Sequence, residues 1–588
     1  MNKKKIVSLL LALTISIFTL ASCGKNTGTT SSSTGTLTAL TGSADTSAIS
    51  IASTVTYDSD DYYFDWQSKS YQTINLNQDF AAISKSGIYE ITGTLKDGSL
   101  VVDVDKTTDS GTVYLVLNNA TVSSTTSAPI YVKNAEKVVL MLENGTTNSI
   151  YQGSGCKVDA DDEPSAAIFS KADLTITGSG TLKVTSDYND GISGKDTLKI
   201  IDGTLNVTAK GDGIVGKDVL AVKQGTITVT AVKNGIRSTN DTDTSLGNIL
   251  IAGGTLSITS GSDAAKAKGT LEIDGGTLNV TTGGGYAQNT TVQTDNNFGK
   301  MNSDSAQTTE TSTDTESING LSACRNIIVT QGNVTVSAYD DALNAGTNLL
   351  IQDGILNLQA GDDGIHSDTN VTIDNGTITI KHSNEGIEGS NITINNGKIT
   401  LTTSDDGFNV NDNSGLETIN GGVIVINAQG DGLDSNGSAK MTGGTVHISG
   451  PTANGDGALD YNGTFTISGG TLIAAGSSGM AESGSTDSTQ PSILMYYSTT
   501  QAAGTTITLK DSSANTVATY TPEKQYTSAV ISSPNMKTGQ SYTLYSGSTK
   551  VVTFTLADTV TYLNESGITE NQGMNAGGGG PGSHGPRN

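Results

Sequence analysis

The sequence predicts an all-β chain: a right-handed parallel β-helix with about 22 residues per coil and a small C-terminal antiparallel β cap. Three observations predict it. First, a signature of acidic, small, then aliphatic or aromatic residue recurs as Asp341-Ala342-Leu343, Asp363-Gly364-Ile365, Glu385-Gly386-Ile387, Asp406-Gly407-Phe408, Asp431-Gly432-Leu433 and Asp456-Gly457-Ala458. The small residues step by 22, 22, 21, 25 and 25, and an earlier set (Asp190-Gly191-Ile192, Asp212-Gly213-Ile214, Asn234-Gly235-Ile236) steps by 22 and 22. A fixed period of ~20–50 residues marks a solenoid in which each repeat stacks on the last. Second, each period holds short alternating runs, so that Leu198, Ile200, Leu205 and Val207 face one side while Lys199 and Asn206 face the other. Third, no proline lies between Pro164 and Pro451, as a long hydrogen-bonded ladder requires.

Taken in order, residues 1–22 are a lipoprotein signal peptide: Lys3-Lys4-Lys5, then an apolar run from Ile6 to Ala21. The close of the run, Leu20-Ala21-Ser22-Cys23-Gly24, resembles the bacterial lipoprotein box, which implies cleavage before Cys23 and acylation of its thiol. Export with a lipid anchor on the outer face of a bacterial membrane follows, with ordinary secretion as the plainer alternative. Residues 23–56, rich in Thr, Ser and Gly, form a tether that reaches roughly 30 Å as a random coil. Residues 57–165 read as an N-terminal cap and irregular first coils, with aromatics clustered from Tyr57 to Tyr71.

The regular helix occupies residues 166–476, and a polar insertion at 283–320 is too long for a plain corner. The Gly-Thr-aliphatic element, as at Gly225-Thr226-Ile227 and Gly376-Thr377-Ile378, places glycine where a tight corner needs positive φ. A leucine-rich repeat would need a Leu/Asn consensus and a calcium-binding nonapeptide roll a period of nine, and neither is present. Residues 490–566 read as antiparallel strands closing the stack, and 567–588 as a disordered Gly-rich tail.

Composition narrows the function. The chain has 588 residues, 34% of them apolar and 5% aromatic, which suits a thin continuous core. A net charge of −26 argues against nucleic acid, whose phosphates select basic surfaces. The four histidines fall at no zinc-ligand spacing, and Cys156 and Cys324 are expected as small buried apolar residues.

Residues repeated once per coil lie at one corner of successive coils, ~4.8 Å apart. Asp190, Asp212, Asp341, Asp363, Glu385, Asp406, Asp431 and Asp456 therefore form acidic columns, with Asp340, Asp362 and Asp405 beside them. Two like charges at that spacing repel by roughly 3.5 kcal/mol at an effective dielectric of 20. Solvent, protons, lysines or bound cations must offset this. A single Asp-Gly is ordinary turn chemistry, but doubled acids in successive coils point to Ca²⁺, which takes 6–8 oxygens. Lys195 and Lys217 also repeat at 22, each followed by Asp. They form a surface Lys/Asp ladder or, beside calcium, would supply the base of a polysaccharide lyase. Trp66, Tyr188 and Tyr339 are the candidate sugar-stacking platforms.

The run from Asp162-Glu163-Pro164-Ser165-Ala166-Ala167-Ile168-Phe169 to Leu174-Thr175-Ile176, followed by the Asp-Gly-Ile coils, resembles the carbohydrate-binding domain-containing β-helix proteins of cellulolytic clostridia. The resemblance runs from about Asp58 through the C-terminal cap and tail, and departs at the insertion. It implies a right-handed β-helix related in shape to pectate lyases. It also implies bound calcium and binding of cellulose and acidic sugars such as polygalacturonate, without established catalysis. The expected function is thus an extracellular, calcium-containing, carbohydrate-binding lipoprotein that takes acidic plant polysaccharide (pectin) and cellulose. A calcium-dependent pectate lyase and a structural adhesin or surface stalk are the alternatives.

Overall fold

Every coil contributes a strand to each of three parallel sheets. The computed structural model describes residues 50–78, 81–159, 163–289 and 317–572. The signal segment with Cys23, the middle of the insertion and most of the Gly-rich tail lie outside the described residues. One coil reads Asp190–Gly194 in the first sheet, Leu198–Ile200 in the second and Thr204–Ala209 in the third. The next repeats it as Ile214–Gly216, Val219–Val222 and Thr226–Ala231, each strand parallel to its counterpart.

The alternation predicted from sequence sets the register. Leu205 lies over Ile227, Leu256, Leu278, Val334, Leu356, Ile378, Ile399, Ile424, Val446 and Leu472 in succession. None of these is more than 2% exposed. Such columns make one narrow core the length of the helix, so nearest-neighbour stacking carries the stability. The pairing Leu278↔Val334 spans the insertion, so the 283–320 excursion leaves the ladder in register. At the corner before the third sheet, Gly225 and Gly376 adopt φ of 111° and 113°, where L side chains are strained.

Two segments from the N-terminal part cover outer faces of the second sheet. Trp66 packs on Val116, Val139 and Met141, and its indole N–H donates to Glu143 Oε2 at 2.6 Å. The buried Asp61 carboxylate accepts from Lys137 (2.7 Å), Thr175 (2.6 Å) and Lys199 (3.2 Å), stapling three coils. Farther along, Ser50, Ile51 and Ala52, at the end of the expected tether, hydrogen-bond the buried Glu272 carboxylate. Cys156 is a free thiol; Cys156 and Cys324 are each half-buried, so neither is the core residue expected, and the two do not bond to each other.

At the other end the last third-sheet strand, Thr471–Gly476, pairs antiparallel with Tyr526–Ser532, which pairs antiparallel with Ser492–Gln501. A separate four-stranded antiparallel sheet packs with them around a second core. The all-β β-helix with its antiparallel closure is therefore the fold expected from sequence.

Candidate cation-binding face of the first sheet

Most first-sheet strands of the regular coils are entered through the acidic-small-aliphatic corner, and each of the three residues has a separate job. The aliphatic residue enters the core: Ile365, Ile387 and Phe408 are fully buried. The small residue lets coils approach. A Cβ on Gly386 would stand 2.3 Å from the carbonyl oxygen of Gly407, and one on Gly407 would stand 2.3 Å from that of Gly432. The acid reaches forward along the stack to accept the backbone N–H of the next corner.

That last contact repeats along the helix. Asp190 accepts from Asp212 N–H (2.9 Å), Asp212 from Asn234 (2.9 Å), Asp263 from Asn319 (2.8 Å) and Asn319 from Asp341 (3.1 Å). Asp341 accepts from Asp363 (3.0 Å), Asp406 from Asp431 (2.6 Å) and Asp431 from Gly457. One oxygen per side chain thus satisfies a backbone donor that the corner leaves unpaired. The side chains are drawn inward: Asp212, Asp341 and Asp363 are only 5%, 6% and 4% exposed.

Three residues on from each acid, strand alternation places another outward side chain. In register these are Val215, Arg237, Lys266, Ser322, Asn344, His366, Glu388, Asn409, Asp434 and Asp460. This second column divides the face. Arg237 pairs with Asp212 (3.0 Å) and Lys266 with Asp263 (3.3 Å), so the N-terminal half carries its own counter-charges. Farther on, acids accumulate.

Three sets there bring ligand atoms within 4.8 Å of one another: Asp341, Asp362 and Asp363; Asp363, His366 and Glu388; and Asp406, Asp431 and Asp434. In the middle set the imidazole Nδ1 lies 3.1 Å from both Asp363 and Glu388, and Nε2 lies 3.3 Å from Asp368. Burial opposes charge on His366, but Asp363, Asp368 and Glu388 hold it protonated. Against the same burial, His366 pulls Glu388 down to about 2. An imidazolium therefore already offsets one of the two carboxylates of that set.

The two outer sets are all-oxygen. Asp362 is exposed at the rim of its set, yet desolvation by the surrounding protein, then Asp341, pushes it up to about 6. Burial together with Asp460, Asp434 and Asp456 takes Asp431 to about 8, against the pull of the Gly457 N–H. Burial and then Asp431 raise Asp406 well above the usual carboxylate range. The Oδ1 atom of Asp363 is buried and makes no hydrogen bond. Clustered carboxylates that take up protons, with one oxygen unsatisfied, are a set that a hard cation with oxygen ligands fits. These partly buried acidic clusters could hold a metal ion.

The residues expected from sequence divide accordingly. Asp341, Asp362, Asp363, Asp406 and Asp431 come together in the all-oxygen sets. Asp190, pushed up to about 7 by burial and then Asp212, and Asp212 itself, tied to Arg237 and Asn234, belong to none of the three. Asp340 is engaged at the root of the insertion, accepting Ile318 N–H (2.6 Å) and the Asn289 amide (3.2 Å). Glu385 accepts from Asn409 at 3.1 Å, while Asp405 and Asp456 join no set. At 456 the corner is longer, so Gly457 rather than Asp456 takes the ladder position. His366, Glu388 and Asp434 escaped the sequence reading, although alternation from each column acid points to them.

Lys195 and Lys217 follow the far ends of their first-sheet strands, the opposite edge from the acid column. Lys195 pairs with Glu163 at 3.1 Å. Both lie about 19–24 Å along the stack from the Asp341 coil at ~4.8 Å per coil, so neither stands beside the Asp341–Asp362–Asp363 set. Trp66 is 1% exposed and offers no face to a sugar, which corrects its expected stacking role. Its burial follows from its covering the outer face of the first coils. Tyr188 and Tyr339 are half-buried at the corners leading to Asp190 and Asp340.

A carbohydrate-binding domain-containing protein from Acetivibrio thermocellus is 36% identical over 138 residues, 23% of this chain and 47% of that protein. The match thus spans about half of the relative's length. A solved structure described as a polysaccharide lyase-like protein from C. thermocellum, gadolinium derivative, is 31% identical, covering 36% of this chain and 91% of that one at a TM-score of 0.35. The family profile described as carbohydrate-binding domain-containing protein matches residues 77–364 and 362–553, most of the chain, and the chain belongs to that family.

Proposed function

We propose that the chain is an exported, lipid-anchored carbohydrate-binding β-helix whose first-sheet acids hold Ca²⁺, and that this calcium bridges them to the carboxylates of an acidic polysaccharide such as polygalacturonate. Membership of a carbohydrate-binding family supports the polysaccharide partner. The Asp341–Asp362–Asp363 set, with its buried and unsatisfied Asp363 oxygen, carries the calcium reading. Three carboxylates fill part of a shell of 6–8 oxygens, which leaves positions for a sugar carboxylate and water. A cation held there also explains how a chain of charge −26 attracts a polyanion. Bound calcium would supply only charge and coordination; the Asp and Glu side chains set the spacing, and the ladder bonds keep it rigid. The basic start, apolar run and Cys23 box support export and anchoring, and cellulose is a further ligand of the same reading.

The test is retention on immobilised polygalacturonate with calcium and again with a chelator. The reading expects retention that the chelator abolishes. Retention indifferent to the chelator, or none in either condition, would overturn it.

A further inference from the structure

A cleft of about 400 Å³ opens where the last coil meets the C-terminal cap, inside the ~300–1,000 Å³ typical of small-ligand sites at such junctions. Tyr461, from the last first-sheet strand Leu459–Tyr461, lines one side, and Tyr562, from the cap strand Val560–Asn564, lines the cleft as well. Both tyrosines are half-buried. The Tyr461 hydroxyl donates to the Ser483 carbonyl at 2.6 Å, which fixes that ring. Glu482, Ser485 and Asn571 add polar groups to the lining.

We infer that this cleft is a binding subsite for one neutral hexopyranose unit of a polysaccharide, with Tyr461 and Tyr562 against the sugar ring and Glu482 hydrogen-bonding its hydroxyls. The inference rests on the carbohydrate-binding reading and adds a site that needs no cation. Half-buried tyrosines offer an apolar ring and a polar edge, the combination a sugar presents in return. No Lys, Arg or His is among the lining residues, and Glu482 and the neighbouring Asp460 disfavour a uronate. A neutral sugar supplies hydroxyl donors that a carboxylate accepts. Asp460, next to Tyr461 in the same strand, lies in register with Asp434 of the third acidic set. Burial, with Asp460 beside it, pushes Glu482 up to about 7, so near neutrality it serves both as donor and as acceptor.

The experiment titrates the full chain, in chelator, with cellotetraose and with a β-1,4-galactotetraose, reading heat. At least one neutral tetrasaccharide is expected to bind, and Tyr562→Ala and Glu482→Ala each to weaken it by ~10-fold or more, about 1.4 kcal/mol. Absence of heat from both sugars, or binding unchanged in Glu482→Ala, overturns the inference even where Tyr562→Ala fails to fold. Calcium-dependent retention on polygalacturonate without tetrasaccharide heat removes the cleft alone. Tetrasaccharide heat lost in the variants, without such retention, removes the calcium bridge alone.

Discussion

Asp341 accepts the backbone N–H of Asp363, one coil further on, at 3.0 Å, while its carboxylate also belongs to a three-acid set. One side chain therefore holds a structural bond and a place in a set that could hold an ion, and two substitutions separate them. Asn already fills this column at Asn234 and Asn319. Asp341→Asn should keep the ladder bond and melt within a degree or two of the parent, yet lose calcium affinity. Asp341→Ala leaves a buried N–H unpaired and should cost ~1–3 kcal/mol as well. Thermal melts paired with calcium titrations distinguish the two.

Arg237 stands where a cation is wanted, 3.0 Å from Asp212 and about a third exposed. Arg237→Leu should destabilise by about 1–3 kcal/mol, less than breaking a fully buried pair because solvent screens this one. Millimolar calcium should recover more stability in the variant than in the parent. Denaturant melts of both proteins, with and without calcium, check this.

Glu417 occupies an interior position, in register with Ile392 and Val371, and neither carboxyl oxygen has a hydrogen-bond partner. Burial, then Asp434, raises it from 4.5 to about 8. The folded chain thus keeps a proton that the unfolded chain releases near 4.5. The stabilisation is complete below that pH and is lost as pH rises to about 8, on the order of 4 kcal/mol across the window. Glu417→Gln should match the parent at pH 4.5 and exceed it by a few kcal/mol at pH 8. Urea midpoints at the two pH values provide the readout.

Trp66 is sealed against Val116, Val139 and Met141. Its emission should be blue-shifted, poorly quenched by acrylamide and unmoved by polygalacturonate. Trp66→Ala should cost ~3–5 kcal/mol and leave glycan affinity intact.

The coils were legible because period and alternation are properties of the chain itself. The 22-residue step fixed which residues stack, and alternation fixed Leu205 and Val207 inside. Half of the site was legible for the same reason: Asp341, Asp363, Asp406 and Asp431 recur at one corner. What the column acids do with their second oxygen was not legible, since their bonds to the next coil's N–H depend on corner geometry. The neutralising partners sit three residues on, at Arg237, Lys266 and His366, and tracking a single column passes over them. Trp66 looked available because an isolated aromatic gives no sign of the strand face it covers. Tyr461 and Tyr562 meet only because the cap folds back on the last coil.

The central claim is that crowded first-sheet acids are held by a divalent ion, and calorimetric titration of chelator-stripped protein with calcium tests it most directly. The account predicts saturable heat and a raised melting temperature, with the heat reduced by Asp363→Asn and again by Asp431→Asn. No calcium heat and no thermal shift up to millimolar ion would contradict it.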